Sequence, residues 1–297
     1  MITVFGSLNA DLCFEIARCP QAGETIASTS MTMHAGGKGG NQALAAAKAG
    51  AQVTFVGAVG SDDLAALALS GLKAAGVDLS GVRRDQGRTG CAAILIDESG
   101  DNRIVLSAGA NGDVNAAQLL DSDLAKSRFL LMQMEIPEQA VVAAIDLARE
   151  AGVRTILNLA PAGPLPPDAL RKVDLLVVNE SEAEFVAGMC ASPSDARSLA
   201  AALGTGVIRT LGADGVEACI DGISHRVAGI PVDVVDTTAA GDCFIGVLAA
   251  ELDAGQEIGA ALSRATTASA LTCTRRGSQT SLPSTIEVND FLSLIHA

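Results

Sequence analysis

The chain has 297 residues, enough to bury a substantial core. Its 34 acidic and 20 basic residues give a formal net charge of −14, which argues against nucleic acid or an anionic membrane surface as a partner. No apolar run reaches the roughly 18 residues of a membrane span, and the first residues do not resemble a signal peptide. Seven scattered cysteines without a C-x-x-C pair indicate reduced thiols, so we expect a cytoplasmic location.

The elements predicted for the first third of the chain alternate between strand and helix, with two interruptions by extra strands. We expect these interruptions, at about 12–33 and 88–107, to form one small sheet that stands off the main domain. The predicted elements, in chain order, are strands at Ile2–Phe5, Leu12–Ile16 and Thr25–Met33, a helix ending at Gly50, a strand at Gln52–Val59, a helix at Asp62–Ala75, and a hairpin of Thr89–Ile96 with Arg103–Ser107.

From residue 129 the alternation becomes regular, which predicts a parallel sheet with right-handed crossovers. We therefore expect a single doubly wound α/β domain over residues 1–297, with its sheet flanked by helices and a small β-sheet lid. The strands are predicted at Phe129–Met132, Arg154–Leu157, Leu175–Val178 and Gly206–Leu211, with a terminal antiparallel pair at Val216–Ile220 and His225–Ala228. The helices are predicted at about Glu138–Ala151, Asp168–Lys172, Glu180–Ala187, Asp195–Ala202, Ala240–Ala254, Ile258–Thr274 and Ile286–Ile295.

The stretch VVDTTAAGDCFIGV at Val234–Val247 predicts a strand end, a tight polar turn and the start of a helix. Backbone N–H groups at a helix start lack partners and carry partial positive charge, and small residues there let an anion approach. Asp242 places a carboxylate beside that position. An anion hole next to a potential base suits phosphoryl transfer to a hydroxyl. The alternative is an ordinary helix N-terminus with Asp in its first turn.

Other polar residues are predicted near the carboxyl ends of strands, where open α/β sheets bind ligands. Asn9 and Asp11 suit recognition of neighbouring hydroxyls, or form a polar turn. The glycine-rich turn GGKGGNQ at Gly36–Gln42 is neither a Walker A loop nor a dinucleotide fingerprint. Lys38 and Asn41 of this turn have donors for hydrogen bonds to the hydroxyls of a ligand. The alternative is a strand-to-helix turn without a binding role.

Carboxylates and amides also follow two later strands. Glu135 follows an apolar strand, and it is either a ligand contact or an ordinary residue near a helix start. Asn179 and Glu182 predict a capping box at a helix start, or else a pair that organises Mg²⁺ and its waters near phosphates.

Eight motifs together resemble the ribokinase-like carbohydrate kinase family of the phosphofructokinase-B type, over the chain from Ile2 to the last helix. In order they are GSLNAD, GGKGGNQA, MQMEIP, LNLAPA, VVNESEAE, TLGADGV, DTTAAGD and TRRGSQTS. The resemblance implies ATP-dependent phosphorylation of a sugar, with D-ribose and its 5-hydroxyl as the expected substrate group. It also implies Mg²⁺, an activating K⁺ and a homodimer formed through the lid.

The roles that the resemblance implies are carried over position by position. Asp242 matches the catalytic base, and Ala239, Ala240 and Gly241 match the anion hole. The sugar contacts match Asn9, Asp11, Gly37, Lys38, Asn41 and Glu135, with Ala92 and Ile104 as an apolar wall. The nucleotide contacts match Asn179, Thr210, Gly212 and Gly215, and Glu182 matches a residue that reaches Mg²⁺ through water. The monovalent-cation site matches Asp236, Thr238, Thr272, Gly277 and Ser281.

Three alternatives remain beside this interpretation. The first is another sugar or nucleoside kinase of the same family, although an apolar wall at Ala92 and Ile104 disfavours a sugar phosphate. The second is a non-catalytic, sugar-sensing relative, which the intact Gly241-Asp242 pair disfavours. The third is a nicotinamide-dependent oxidoreductase, which the missing dinucleotide fingerprint disfavours.

Overall fold

The computed structural model describes residues 1–99 and 102–295. Its strands, in chain order, are β1 Ile2–Phe5, β2 Asn9–Glu15, β3 Ser30–Gly36, β4 Val53–Val59, β5 Asp78–Arg84, β6 Gly90–Ile96, β7 Asn102–Ser107, β8 Phe129–Met132, β9 Arg154–Asn158, β10 Leu175–Val178, β11 Gly206–Thr210, β12 Val216–Ile220 and β13 Ile223–Val227. Its α-helices are α1 Lys38–Lys48, α2 Leu64–Ala68, α3 Ser70–Ala74, α4 Glu138–Ala151, α5 Pro167–Leu170, α6 Glu180–Cys190, α7 Ala196–Leu203, α8 Ala240–Asp253, α9 Ile258–Cys273 and α10 Thr285–Ile295.

The larger sheet has nine strands in the order β13-β12-β11-β10-β9-β8-β1-β4-β5. Neighbours from β11 to β5 are parallel, and β12 and β13 add an antiparallel edge. One buried cluster packs the sheet against α1, α8 and α9, and a second packs it against α4, α6 and α7. Ile2 and Val4 belong to the first cluster and Phe5 to the second, as strand alternation requires. The predicted α/β fold, with a mostly parallel sheet flanked by helices, is confirmed.

The smaller sheet has four strands in the order β3-β2-β6-β7, which confirms the predicted separate sheet. Two of its strand boundaries differ from the prediction. The strand predicted at Leu12–Ile16 begins at Asn9, because pairing with β6 starts there. The strand predicted at Thr25–Met33 begins at Ser30, because Ser30 pairs with Glu15 at the last position of β2. Asn9 and Asp11 therefore lie in a paired strand, and the alternative of a polar turn is wrong.

One strand was missed, and one predicted helix is divided. The helix predicted at Asp62–Ala75 is two short helices, α2 and α3, and the strand β5 follows them. β5 lies at the edge of the larger sheet, where its polar residues face water and give little hydrophobic signal. Gly81 permits its close approach, since a Cβ there would lie 2.8 Å from Val56 Cγ2. No helix among the described residues is long and apolar enough to cross a membrane.

Helices α1 and α8 pack closely enough to leave no room for one methyl group. A Cβ at Gly246 of α8 would lie 2.6 Å from Ala45 Cβ and 2.9 Å from the Ala46 nitrogen of α1. Real Cβ atoms do not make such contacts, so an added methyl requires the helices to move. This contact matters for function because it holds the start of α1 against the start of α8.

We expect Gly246→Ala to lower the free energy of unfolding by about 1–3 kcal/mol, because the new methyl overpacks the contact between two helices. Alanine's helix preference offsets this loss by about 1 kcal/mol. The matched control is Gly188→Ala in α6, where no atom lies within 4 Å of the new Cβ. The control should be neutral or gain up to about 1 kcal/mol in urea denaturation. Equal effects of the two substitutions would contradict the close packing of α1 on α8.

Candidate active site

The start of α1 is tied to the carboxyl ends of β1 and β8 through Glu135. Its Oε2 accepts hydrogen bonds from Ser7 Oγ at 2.6 Å and from the Lys38 amide at 3.0 Å. Gly39 permits this arrangement, because a Cβ there would lie 2.6 Å from the Ser7 amide. Gly37 has φ 87°, a left-handed conformation that favours glycine. Gly37 and Gly39 are therefore required by conformation and packing, whatever they add to ligand binding.

Two polar residues of β2 face this same edge. Asn9 Oδ1 accepts a hydrogen bond of 2.8 Å from Asn111 Nδ2, which fixes the Asn9 amide. Burial, together with the smaller effects of the charges of Glu135 and Asp242, raises the pKa of Asp11 to about 6. Three carboxyl groups therefore share one region. Sequence analysis did not single out Asn111, which lies in a short 3₁₀ segment with no motif signal.

Asp242 is buried at the start of α8 and is held by two amides of α1. Asn41 Nδ2 donates to its Oδ2 and Gln42 Nε2 donates to its Oδ1, each at 2.9 Å. Burial raises the pKa of Asp242, while the charge of Lys38 and the two hydrogen bonds oppose that rise. Burial lowers the pKa of Lys38, yet the charges of Asp242, Glu135 and Glu182 outweigh it and the pKa is raised. The site therefore holds a cation among several carboxylates.

The start of α8 is open to an anion. Ala239 precedes the helix with φ 61°, and no side chain caps the helix at this position. Gly241 is exposed, and no atom lies within 4 Å of where its Cβ would be. Packing therefore does not require glycine at 241, and the exposed turn leaves room for another group to approach its backbone closely. Ser269 Oγ donates to the Ala240 carbonyl at 2.9 Å and ties this turn to α9.

Asn179 and Glu182 form the capping box that the sequence allowed. Asn179 Oδ1 accepts from the Glu182 amide, and Glu182 Oε2 accepts from the Asn179 amide, both at 2.8 Å. The carboxyl of Glu182 is also close to the site, because its pKa is raised first by burial and in smaller part by Asp242, with the Asn179 bond and Lys38 opposing. The capping role leaves Oε1 of Glu182 available for a metal-bound water.

Thr210 ends β11 beside the end of β10, and its Oγ1 donates to the Val178 carbonyl at 3.4 Å. Gly212 and Gly215 follow in a tight turn with φ 53° and 94°. A side chain at Gly215 would collide with the Val227 carbonyl, so this glycine is required by the turn.

The predicted cation residues fall into two groups. Asp236 accepts from the Thr238 amide at 2.8 Å and from the Gly277 amide at 2.9 Å, which brings these three residues together. Burial raises the pKa of Asp236, but those hydrogen bonds outweigh it and the pKa is lowered. The hydroxyls of Thr272 and Ser281 instead donate to backbone carbonyls, those of Ala268 at 2.9 Å and Ser278 at 2.7 Å.

The predicted apolar wall lies on the lid. Ala92 is buried and pairs with Asp11, while Ile104 is 58% exposed and pairs with Ile94 on the same face. Arg88 precedes β6 and is exposed, so it does not belong to this wall.

A buried carboxylate beside an uncapped helix start suits phosphoryl transfer to a hydroxyl, which is the chemistry of a small-molecule kinase. Comparison with known proteins agrees, because the profile described as "pfkB family carbohydrate kinase" matches residues 1–285. The chain belongs to this pfkB family of carbohydrate kinases. This membership confirms the prediction of a sugar kinase.

Individual relatives resemble the chain over nearly its whole length. A ribokinase of Schizosaccharomyces pombe is 38% identical, over 99% of this chain and 98% of its own length. The crystal structure of a Thermotoga maritima ribokinase has a TM-score of 0.90 at 32% identity, with 98% and 99% of the two chains covered. The structure of an Arabidopsis thaliana ribokinase complexed with ribose and ATP has a TM-score of 0.89 at 31% identity, with 98% of each chain covered.

We expect Asp11→Asn to stabilise the protein at neutral pH. The pKa of Asp11 is about 6 in the folded chain against an ordinary 3.8. The folded state thus binds the proton more tightly, so stability falls as pH rises from about 4 to 6. Removing the charge should therefore raise the free energy of unfolding by about 1–3 kcal/mol above pH 6 and by much less near pH 4.

Urea denaturation at several pH values measures this difference, with Asp121→Asn, an exposed carboxyl outside the site, as control. A gain from Asp11→Asn that is independent of pH would contradict the assignment to Asp11 ionisation.

Proposed function

We propose that the chain transfers the γ-phosphoryl group of ATP to the 5-hydroxyl of D-ribose, with Asp242 as base. The observation that carries this proposal is the position of the buried Asp242 carboxylate, fixed by two α1 amides, beside the open turn at Ala239–Gly241. The ribokinase relatives, one of them complexed with ribose and ATP, support ribose as the substrate and ATP as the donor.

Asn9, Asp11, Lys38, Asn41 and Glu135 would bind the sugar hydroxyls. Acceptors and donors are mixed in this set, as vicinal hydroxyls require, since each hydroxyl both donates and accepts. The backbone of Gly37 and the wall of Ala92 and Ile104 would complete the pocket. Asp242 would then accept the proton of the 5-hydroxyl as its oxygen attacks.

The donor nucleotide would lie at the ends of β10 and β11, against Asn179, Thr210, Gly212 and Gly215. Its γ-phosphoryl group would meet the amides of Ala239, Ala240 and Gly241, which stabilise the charge that grows on it. Glu182 fits Mg²⁺ through a water, since one of its oxygens is not used in the capping box. When bound, Mg²⁺ neutralises charge on the phosphates.

The experiment that tests this proposal is a coupled ADP-release assay over D-ribose, 2-deoxyribose, fructose, fructose 6-phosphate and adenosine. We expect the highest kcat/KM for D-ribose and a product phosphorylated at carbon 5 by ³¹P NMR. Higher kcat/KM for adenosine or fructose 6-phosphate would replace ribose by another substrate of the family. Sugar binding without ADP release from any substrate would support the sugar-sensing alternative.

Asp242→Asn should reduce kcat by about 10²–10⁴, the usual contribution of a positioned general base. Binding of ATP should persist, because the substitution keeps the size of the side chain. Asp290→Asn, on the exposed side of α10, is the matched control and should keep full activity. Turnover near that of the wild type would remove Asp242 from its proposed role.

We also propose that a monovalent cation, K⁺, orders the turn that carries the anion hole. Asp236 supplies a carboxylate, and its hydrogen bonds to Thr238 and Gly277 join the turn before α8 to the loop after α9. Thr272 and Ser281 would contribute backbone or hydroxyl oxygens, since a hydroxyl that donates its proton to a carbonyl keeps its lone pairs. A carbonyl-rich cage suits K⁺, which is larger and loses its hydration more readily than Na⁺.

We expect faster turnover in K⁺ than in Na⁺ at fixed ionic strength, and little change when Cl⁻ is replaced. Asp236→Asn should weaken the activation, while Asp233→Asn, exposed and three residues earlier, should leave it intact. Equal rates in the two salts would contradict the cation site and leave the substrate assignment untouched.

We propose a homodimer that forms through the lid. The lid face opposite Asp11 carries Ala93 and Leu95, and by register it also carries Met31, Met33 and Val105. The last three are 51%, 50% and 69% exposed, an apolar surface that a second lid would cover.

Light scattering should give about twice the 29.9 kDa mass of the chain. Leu95→Glu should yield monomers with weaker sugar binding, because a charge is placed in the proposed contact. Ile223→Glu, at an exposed apolar residue of β13 outside the lid, should leave the dimer unchanged. A monomeric wild type, or a dimer that Leu95→Glu does not disturb, would contradict the proposed interface.

A further inference from the structure

A chain of buried amides connects Asp242 to the interior of the protein. Gln42 Nε2 donates to Asp242 Oδ1 at 2.9 Å and to Asn158 Oδ1 at 3.1 Å. Gln42 Oε1 accepts from Gln133 Nε2 at 2.7 Å. Gln42 and Gln133 are fully buried, and the amides come from α1, from the end of β9 and from the residue after β8. Residues of three regions are thus linked to the carboxylate through Gln42.

The direction of every hydrogen bond in this chain is fixed at its two ends. An ionised Asp242 only accepts, so Gln42 must present its NH₂ group. At the other end Asn158 Nδ2 donates to the Val177 carbonyl at 3.3 Å, so Asn158 presents its oxygen to Gln42. Both hydrogens of Gln42 Nε2 are then used, and its oxygen must face the donor Nε2 of Gln133.

Stability alone does not account for Gln133. Its Oε1 has no hydrogen-bond partner among the described residues and is packed against Gly6. A buried acceptor without a partner destabilises the folded state, whereas an apolar side chain of the same shape would not. The side-chain bond that Gln133 does make is the donation to Gln42.

We propose that Gln133 and Gln42 are positioning residues. Gln133 holds the Gln42 amide in the orientation in which Gln42 donates to Asp242. This inference rests on the proposed role of Asp242 as base. Without Gln133, Gln42 Oε1 loses its donor, and only the acceptors Asp242 and Asn158 still hold the amide. The rotated state, in which the Gln42 oxygen faces the carboxylate, then costs less free energy than in the wild type and is populated more often. Repulsion then disfavours the ionised form, which is the form that accepts a proton.

The other titratable groups facing Asp242 belong to several elements. They are Lys38 of α1, Asp11 of β2, Glu135 after β8, Glu182 of α6 and the adjacent Cys243 of α8. The methionine substitutions proposed below alter none of them and add no titratable group. A shift in the pH profile therefore reports the change in the amide chain.

The test compares kcat over pH for Gln133→Met, Gln42→Met and the double variant, with the best substrate of the assay above. Methionine keeps the length of glutamine but has no donor. We expect Gln133→Met to lower kcat about 10-fold near pH 7 with little change in KM, the loss of one hydrogen bond near a charged group. The low-pH side of the kcat profile of Gln133→Met should move to higher pH, because Asp242 with a raised pKa ionises only at a higher pH.

The double variant separates positioning from packing. If Gln133 acts through Gln42, Gln133→Met should have no further effect on kcat once Gln42→Met is present. Ser127→Ala is the matched control, because it removes a buried 2.7 Å hydrogen bond to Thr3 at the other end of β8. It should lower stability without moving the pH profile. Additive effects on kcat, or an unshifted low-pH side of the profile in Gln133→Met, would overturn the proposal.

A second variant guards against a failure of Gln133→Met to fold. Gln133→Glu keeps the shape, and its buried carboxyl donates to Gln42 Oε1 while it is protonated. Its kcat relative to wild type should therefore fall as pH rises. A ratio that is flat with pH would overturn the proposal.

The proposed function can fail separately from this inference. If wild type phosphorylates no sugar, the carboxyl ¹³C shift of Asp242, assigned with Asp242→Asn, still reports its titration. Gln42→Met and Gln133→Met should each raise its midpoint relative to Ser127→Ala, and an unchanged midpoint would overturn the inference.

Discussion

The arrangement of the site depends on one carboxylate, that of Asp242, held inside the protein. Asp242 is removed from water, which disfavours its charge and raises its pKa, and two amide donors and the ammonium of Lys38 offset part of that cost. All three compensating groups lie on α1, and α8 carries the carboxylate. The close contact of these helices at Gly246 is therefore an electrostatic requirement as well as a packing one. A small outward movement of α1 would remove the cation and both donors together.

The same constraint explains why the sheet edge is so polar. Glu135 fixes the first turn of α1 through Ser7 and the Lys38 amide, and it adds negative charge near Asp11 and Asp242. Like charges at this density oppose folding, and groups with such perturbed pKa values cluster at functional sites. Repulsion between these carboxylates lowers the stability of the fold at the site. Burial of apolar side chains in the two clusters around the nine-stranded sheet offsets this loss.

Sequence patterns predicted the regular parts of this molecule well. Alternating apolar strands and helices from residue 129 onward gave the larger sheet, and position after a strand placed Glu135 and Asn179 at its edge. β5 was missed because a polar edge strand lacks the apolar signal on which such prediction depends. Asn111 was missed because its partner, Asn9, is 102 residues away and no motif joins them. Gln42 and Gln133 stood in quoted motifs, but the direction of a hydrogen bond is set by folded neighbours.

The alternation of β2 has a consequence for how this protein changes over evolutionary time. Asp11 faces the site, while its neighbours Ala10 and Leu12 lie on the opposite face of the lid sheet. Inserting or deleting a single residue in β2 between Asn9 and Asp11 would turn Asp11 to the opposite face, and the same change in β6 would turn away the residues that follow it, such as Ala92. The residues that face the site from these strands can therefore change by substitution, whereas a change of strand length would displace them. Natural variation in length should accumulate in the connections between the strands instead.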